Sequence, residues 1–175
     1  MTIIQTERLT LRELTLHDSG FILELLNTPG WIANIGDFGI KTVEAAESYL
    51  LTGPINSYEK NGFGLWAVTE KTNGQLIGMC GLLNRDTLDD IDVGYALLPE
   101  YTDAGYGYEA TLAAVKYAFE VCNVPRIAAI CIEANIRSIN LLKKLGFTFQ
   151  KYIRLRVDGD ELMYFIVDKN TILTA

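Results

Sequence analysis

The chain has 175 residues, 49% of them hydrophobic and 21% charged, and a formal net charge of −7. That length predicts one domain spanning residues 1–175 with a substantial core, and the excess of acid argues against nucleic acid as the main partner. No apolar run is long enough to cross a bilayer, and Met1 to Arg8 lack a basic segment followed by an apolar one, so the expectation is a cytoplasmic protein with no membrane partner.

Leu9, Leu11 and Leu14 alternate with polar residues, the two-residue period of a first strand. The single histidine, His17, lies where Asp18 or Ser19 would cap a helix and reads as a solvent-facing residue. Without it, neither a Ser-His-Asp nor a Cys-His arrangement can be built. Phe21, Ile22, Leu25 and Leu26 share one face of a short helix that Pro29-Gly30 is expected to end. Trp31 to Lys41, with Gly36 and Gly39, has no clear period and reads as a loop. Its Trp31 and Phe38 either pack on the core or wall a substrate pocket. Thr42 caps a second helix with Ala46, Tyr49 and Leu50 inward, interrupted at Gly53-Pro54 and resuming to Lys60. Phe63 to Glu70 and Gln75 to Leu83 read as strands joined by the turn Lys71-Thr72-Asn73-Gly74.

Asp86, Asp89 and Asp90 form an acidic turn before the next strand, Ile91 to Leu98. Pro99 to Ala110 then leads into an apolar helix, Ala110 to Val121, through a loop carrying Gly105 and Gly107. A strand, a glycine-bearing turn and a helix N-terminus make a phosphate cradle, because free N–H groups converge there and the helix dipole favours negative charge. Gly-x-Gly alone also fits an ordinary strand-to-helix turn. Pro125 opens a strand over Arg126 to Ile132, and Asn135 caps a helix carrying Ile136, Ile139, Leu142 and Leu145, stopped by Gly146. Two closing strands, Phe147 to Val157 and Glu161 to Asp168, are joined by Asp158-Gly159-Asp160. Cys80, Cys122 and Cys131 are odd in number and set among apolar residues, which fits reduced, buried thiols rather than disulfides or a metal site. The order β-α-α-β-β-β-α-β-α-β-β implies a mixed sheet covered on both faces. A dinucleotide fold is disfavoured, because Pro99 to Ala104 separate the strand from the first glycine.

Five stretches carry a resemblance. They are Thr6-Glu7-Arg8-Leu9-Thr10-Leu11-Arg12, Gly64-Leu65-Trp66-Ala67-Val68 with Leu76-Ile77-Gly78, Asp92 through Tyr101, Asn135-Ile136-Arg137-Ser138, and Leu141 through Phe147. In this order they make the chain resemble, over nearly its whole length, the GNAT superfamily of acyl-CoA-dependent N-acyltransferases. Within it the chain is similar to the RimJ/RimL-type protein N-terminal acetyltransferases. The resemblance implies an α/β (α+β) GNAT fold with a central mixed, mostly antiparallel twisted sheet and helices on both faces. It also implies acetyl-CoA as acyl donor, with no metal. By this likeness Thr102, Asp103, Ala104, Gly105, Tyr106, Gly107 and Tyr108 bind the pyrophosphate, chiefly through main-chain N–H groups. Leu97 and Leu98 lie where the central strand splays and pair with the pantetheine arm, and a backbone N–H there polarises the thioester carbonyl. Asn135 touches the same arm or serves only as a helix cap.

The attacking amine must lose a proton, and Asp92 is the implied base, with Asp90 and Glu70 as weaker candidates and a structural role for Asp92 as the alternative. Many family members give a proton to the sulfur from a tyrosine on the last helix; Leu142 stands there, and Ser138, one turn earlier, is the candidate in its place. Its alternative is a first-turn serine that satisfies the helix end. The loop also departs from the family pattern: Thr102, Asp103 and Ala104 stand where a basic residue and a flexible glycine are usual. The implied acceptor is a primary amine, first a protein α-amine and second a small molecule such as a polyamine, amino acid or antibiotic. A non-catalytic acyl-CoA-binding domain is the rival, and the chain is expected to be a monomer or homodimer.

Overall fold

The computed structural model describes residues 1–173. The elements run β1 (Thr2–Gln5), β2 (Leu9–Glu13), α1 (Ser19–Leu26), α2 (Pro29–Asn34), α3 (Val43–Leu50) and α4 (Asn56–Asn61). They continue as β3 (Leu65–Glu70), β4 (Leu76–Leu83), β5 (Asp92–Leu97), α5 (Tyr106–Glu120) and β6 (Arg126–Cys131). The chain closes with α6 (Ile136–Lys144), β7 (Thr148–Ile153), β8 (Leu162–Asp168) and α7 (Lys169–Leu173). Among the described residues, eight strands form one sheet in the order β1-β2-β3-β4-β5-β6-β8-β7. Every neighbouring pair is antiparallel except β5 and β6, which run parallel.

Alternation along the strands divides the side chains between two apolar layers. Trp66 and Val68 of β3, Ile77 and Cys80 of β4 and Val93 of β5 pack with Ala114, Val115, Ala118 and Phe119 of α5 and Ile139 and Leu142 of α6. On the other face, Ala67 of β3, Met79 of β4 and Leu98 pack with Ile22 and Leu25 of α1, Trp31 of α2 and Ala46 and Leu50 of α3. Helices therefore cover both faces of a mixed, mostly antiparallel sheet.

Several local expectations are corrected. Pro29-Gly30 does not end the first helical region; Pro29 opens α2, where its missing N–H costs nothing, and the Thr28 hydroxyl accepts from the Trp31 N–H at 3.3 Å. Trp31 is consequently helical and buried, with Phe38 packed edge-on against it at 5.5 Å and half exposed. Asp18 does not cap α1 through its side chain. Its carboxylate accepts from the Arg12 guanidinium at 2.8 and 2.9 Å and from the Thr15 N–H at 2.8 Å. Gly53-Pro54 widens the helix rather than breaking it: Leu51–Ile55 forms a π-type turn that absorbs Pro54 before α4. Ile136 is exposed on α6, and Cys122 is only partly buried, just past the end of α5. β1 and α7 were not expected, since four or five residues hold too few repeats to reveal a period.

Candidate active site

The parallel pair β5–β6 makes the opening. Asp92 opposite Ala128 is its one registered pair among the described residues, closed by the Ala128 N–H donating to the Ile91 carbonyl at 2.9 Å. Beyond it, among the described residues, β5 continues to Leu97 with only β4 beside it. Backbone groups of a strand alternate sides. The Leu98 N–H donates to the Ile77 carbonyl on β4 at 2.9 Å, so Leu97 and Tyr95 direct their main-chain groups into the vacant side. Of the two leucines, Leu97 faces the opening with its backbone and Leu98 is committed to β4.

The loop beyond the strand is strongly shaped. Pro99–Tyr101 forms one 3₁₀ turn, Asp103 adopts φ +64° and Gly105 φ +83°, and α5 begins at Tyr106. Asparagine and aspartate enter this left-handed region more readily than most residues, which is how Asp103 substitutes for a glycine. The first helical hydrogen bond of α5 runs from the Glu109 N–H to the Gly105 carbonyl at 3.1 Å. The N–H groups of Tyr106, Gly107 and Tyr108 precede it and have no helical acceptor.

Glu109 pins this helix start to the β1–β2 turn. Its carboxylate accepts from the Thr6 hydroxyl at 2.5 Å, the Arg8 N–H at 2.8 Å and Arg8 Nε at 2.6 Å. Burial pushes the Glu109 carboxyl up, but these bonds outweigh it and hold the group below the ordinary carboxylate range. Arg8 also donates to the Ala104 carbonyl at 2.9 Å and lies over the Tyr106 ring at 4.4 Å. The Tyr106 hydroxyl donates to Glu70, which occupies that carboxylate. Asp103 is paired with Arg137 Nη2 at 2.9 Å. A basic partner absent from residues 102–104 is thus present beside them from α6.

Asp92 and Ser138 lie on opposite faces of the sheet. Asp92 is 1% exposed, and Arg85 Nε meets its Oδ1 at 2.9 Å. Burial raises its carboxyl to about 6 against the opposing pull of Arg85. Asp90 is held by Arg126 Nε at 2.7 Å and by the Tyr164 hydroxyl at 2.8 Å, so it ties the turn before β5 to β6 and β8. On the α5–α6 side, Asn135 Oδ1 accepts from the Ser138 N–H at 3.1 Å. Ser138 opposes the burial that raises the Tyr95 hydroxyl and the Cys131 thiol, which sets it near both groups. Tyr95 was missed by sequence reasoning. Its ring is so close to the start of α5 that a Cβ on Gly107 would sit 3.3 Å from it, and burial raises its hydroxyl above the usual phenol range despite Ser138. Its alternation with Asp92 was readable, but not its neighbour 43 positions along the chain. Among the described residues, no group of three or more His, Cys, Asp or Glu side chains is placed to hold a metal.

A parallel pair that parts in front of a glycine-shaped helix N-terminus offers room for an extended arm that ends in a diphosphate. The family model for the acetyltransferase (GNAT) domain matches residues 8–148, and the chain belongs to that family, whose acyl donor is acetyl-CoA. It is 28% identical over 153 residues to the uncharacterized N-acetyltransferase YoaA of Bacillus subtilis (strain 168), covering 87% of this chain and 86% of that one. It is 32% identical over 115 residues to the [ribosomal protein uS5]-alanine N-acetyltransferase of Escherichia coli (strain K12), covering 61% of this chain and 58% of that enzyme. Its fold matches the spermidine N-acetyltransferase of Vibrio cholerae, solved with CoA and spermine, at a TM-score of 0.78 and 18% identity over 96% of this chain and 99% of the other.

Proposed function

We propose that residues 1–175 form a single cytoplasmic domain of the RimJ/RimL type that acetylates a protein N-terminal α-amine by direct attack. The observation that carries this reading is the vacant side of β5, with Leu97 main-chain groups facing it and the free N–H groups of Tyr106, Gly107 and Tyr108 beyond its end. A donor laid there adds a strand-like arm to the sheet and sets its diphosphate on a helix N-terminus. The relative that acetylates an alanine of a ribosomal protein supports the choice of acceptor.

Acetyl-CoA supplies the activated acyl carbonyl. Asp92, on the face opposite Ser138, takes the proton lost by the amine through water. Ser138, with Tyr95 behind it, gives a proton to the departing sulfur. Asn135 orients the first turn of α6 by accepting from the Ser138 N–H. No histidine-activated nucleophile is needed, which agrees with transfer in one step and no covalent enzyme intermediate.

The test is mass analysis of peptides with free α-amines after incubation with acetyl-CoA, beside a panel of polyamines, amino acids and aminoglycosides. Acetylation at peptide α-amines is expected. Turnover confined to small amines would move the acceptor to that class, and tight donor binding with no turnover would make the chain a binding domain.

A further inference from the structure

Arg137 and Asp103 stand on opposite banks of the opening. Asp103 belongs to the loop after β5, and Arg137 to the first turn of α6 after β6. Their 2.9 Å ion pair therefore spans the mouth of the cleft, with side chains 72% and 67% exposed. Two other cations near the loop are already engaged: Arg8 is bonded to Glu109 and to the Ala104 carbonyl and stacked on Tyr106, and Lys144 lies over the Tyr108 ring at 4.5 Å. Arg137 is held by an exposed pair, a kind that contributes little to stability and separates readily.

We propose that Arg137 is the cation that binds the donor's diphosphate, and that Asp103 holds it in reserve at the cleft mouth and competes with the diphosphate for it. This rests on the acetyl-CoA reading of the site. A guanidinium presents a planar fork that matches two phosphate oxygens, and such charge-assisted pairs are stronger than neutral hydrogen bonds. The diphosphate on the Tyr106–Tyr108 N–H groups brings more negative charge to Arg137 than one carboxylate does. Binding thus exchanges one partner for another, and the Asp103 carboxylate turns to water, where most of its surface already lies. Leu141 and Gly107 approach each other where α6 passes the start of α5, which keeps the first turn of α6 beside the loop.

The experiment is isothermal titration of acetyl-CoA and acetyl-dephospho-CoA into wild type, Arg137→Gln, Asp103→Asn and the double variant, with S-acetylpantetheine followed by NMR titration. Asparagine tolerates the left-handed conformation of residue 103, so only the charge changes. Arg137→Gln is expected to weaken both CoA thioesters about tenfold, and Asp103→Asn to tighten them several-fold. In the double variant the gain from Asp103→Asn disappears, and S-acetylpantetheine, which lacks phosphate, is unmoved by either change. An unchanged affinity in Arg137→Gln, or a gain from Asp103→Asn that persists without Arg137, would overturn the proposal while leaving the donor intact. Wild type that binds none of the three would overturn the donor reading and the proposal with it.

Discussion

Asp92 brings a carboxylate to a place where almost no water reaches, with Arg85 as its ion-pair partner. Because its pKa rises from 3.8 to about 6 on folding, its contribution to stability is full below 3.8 and is lost as pH rises through about 6. Denaturant unfolding should therefore find wild type losing ground to Asp92→Asn as pH rises across that window. If Asp92 is the base, kcat/KM should gain an acid limb with a midpoint near 6, steeper than the amine's own titration produces. Asp92→Asn should remove that extra limb and cut kcat about a hundredfold or more at neutral pH. A variant with wild-type kcat and an unchanged profile would return Asp92 to a structural role. The sequence identified Asp92 by its place on the strand, but its face and its partner Arg85 came from the fold.

At the scale of elements, β5 and α5 are set by close contacts that single substitutions can test. A Cβ on Gly78 would lie 2.3 Å from the Ala96 carbonyl oxygen and 2.9 Å from the Leu97 Cα, both backbone. Gly78→Ala must therefore move β4 against β5, at a cost of about 1–3 kcal/mol or more. Urea unfolding would measure it, and donor affinity should fall as well, since Leu97 lies opposite Gly78. Glu109 anchors the other end of the loop. Its folded pKa is depressed, so its contribution is present above the ordinary carboxylate value and lost as pH falls through the lower, folded one. Glu109→Gln is expected to cost about 1–3 kcal/mol at neutral pH, and the deficit should shrink in acid. The glycine turn was readable because a left-handed turn is local chemistry, but α5 begins at Tyr106 rather than at the expected Ala110. Pro29 was misread because proline fits the end of one helix and the first turn of the next equally well.

For the molecule as a whole, the proposed donor site joins the parted strands to the helix start, so donor binding there should stabilise the entire fold. Acetyl-CoA at 100 times its Kd adds about 2.7 kcal/mol. For a chain of this size that raises the thermal midpoint by roughly 5–10 °C, and NAD should give no shift. Thermal unfolding with each ligand checks both statements.

The amino-acid sequence by itself determined the succession of elements from β2 to β8 apart from α2, the hairpin turns, the caps at Thr42 and Asn135 and the glycine loop. These follow from interactions within a few residues: side-chain period, backbone freedom and the first-turn N–H groups of helices. It also carried the family, through motifs in a fixed order. Only the tertiary structure decided which groups meet. Arg8 reaches Glu109 across 101 positions, Asp103 finds Arg137 from another element, and Ser138 of α6 comes near Tyr95 of β5. Such partners leave no local trace in the chain, because sheet order and the parting of β5 from β6 bring them together only when both apolar layers are packed.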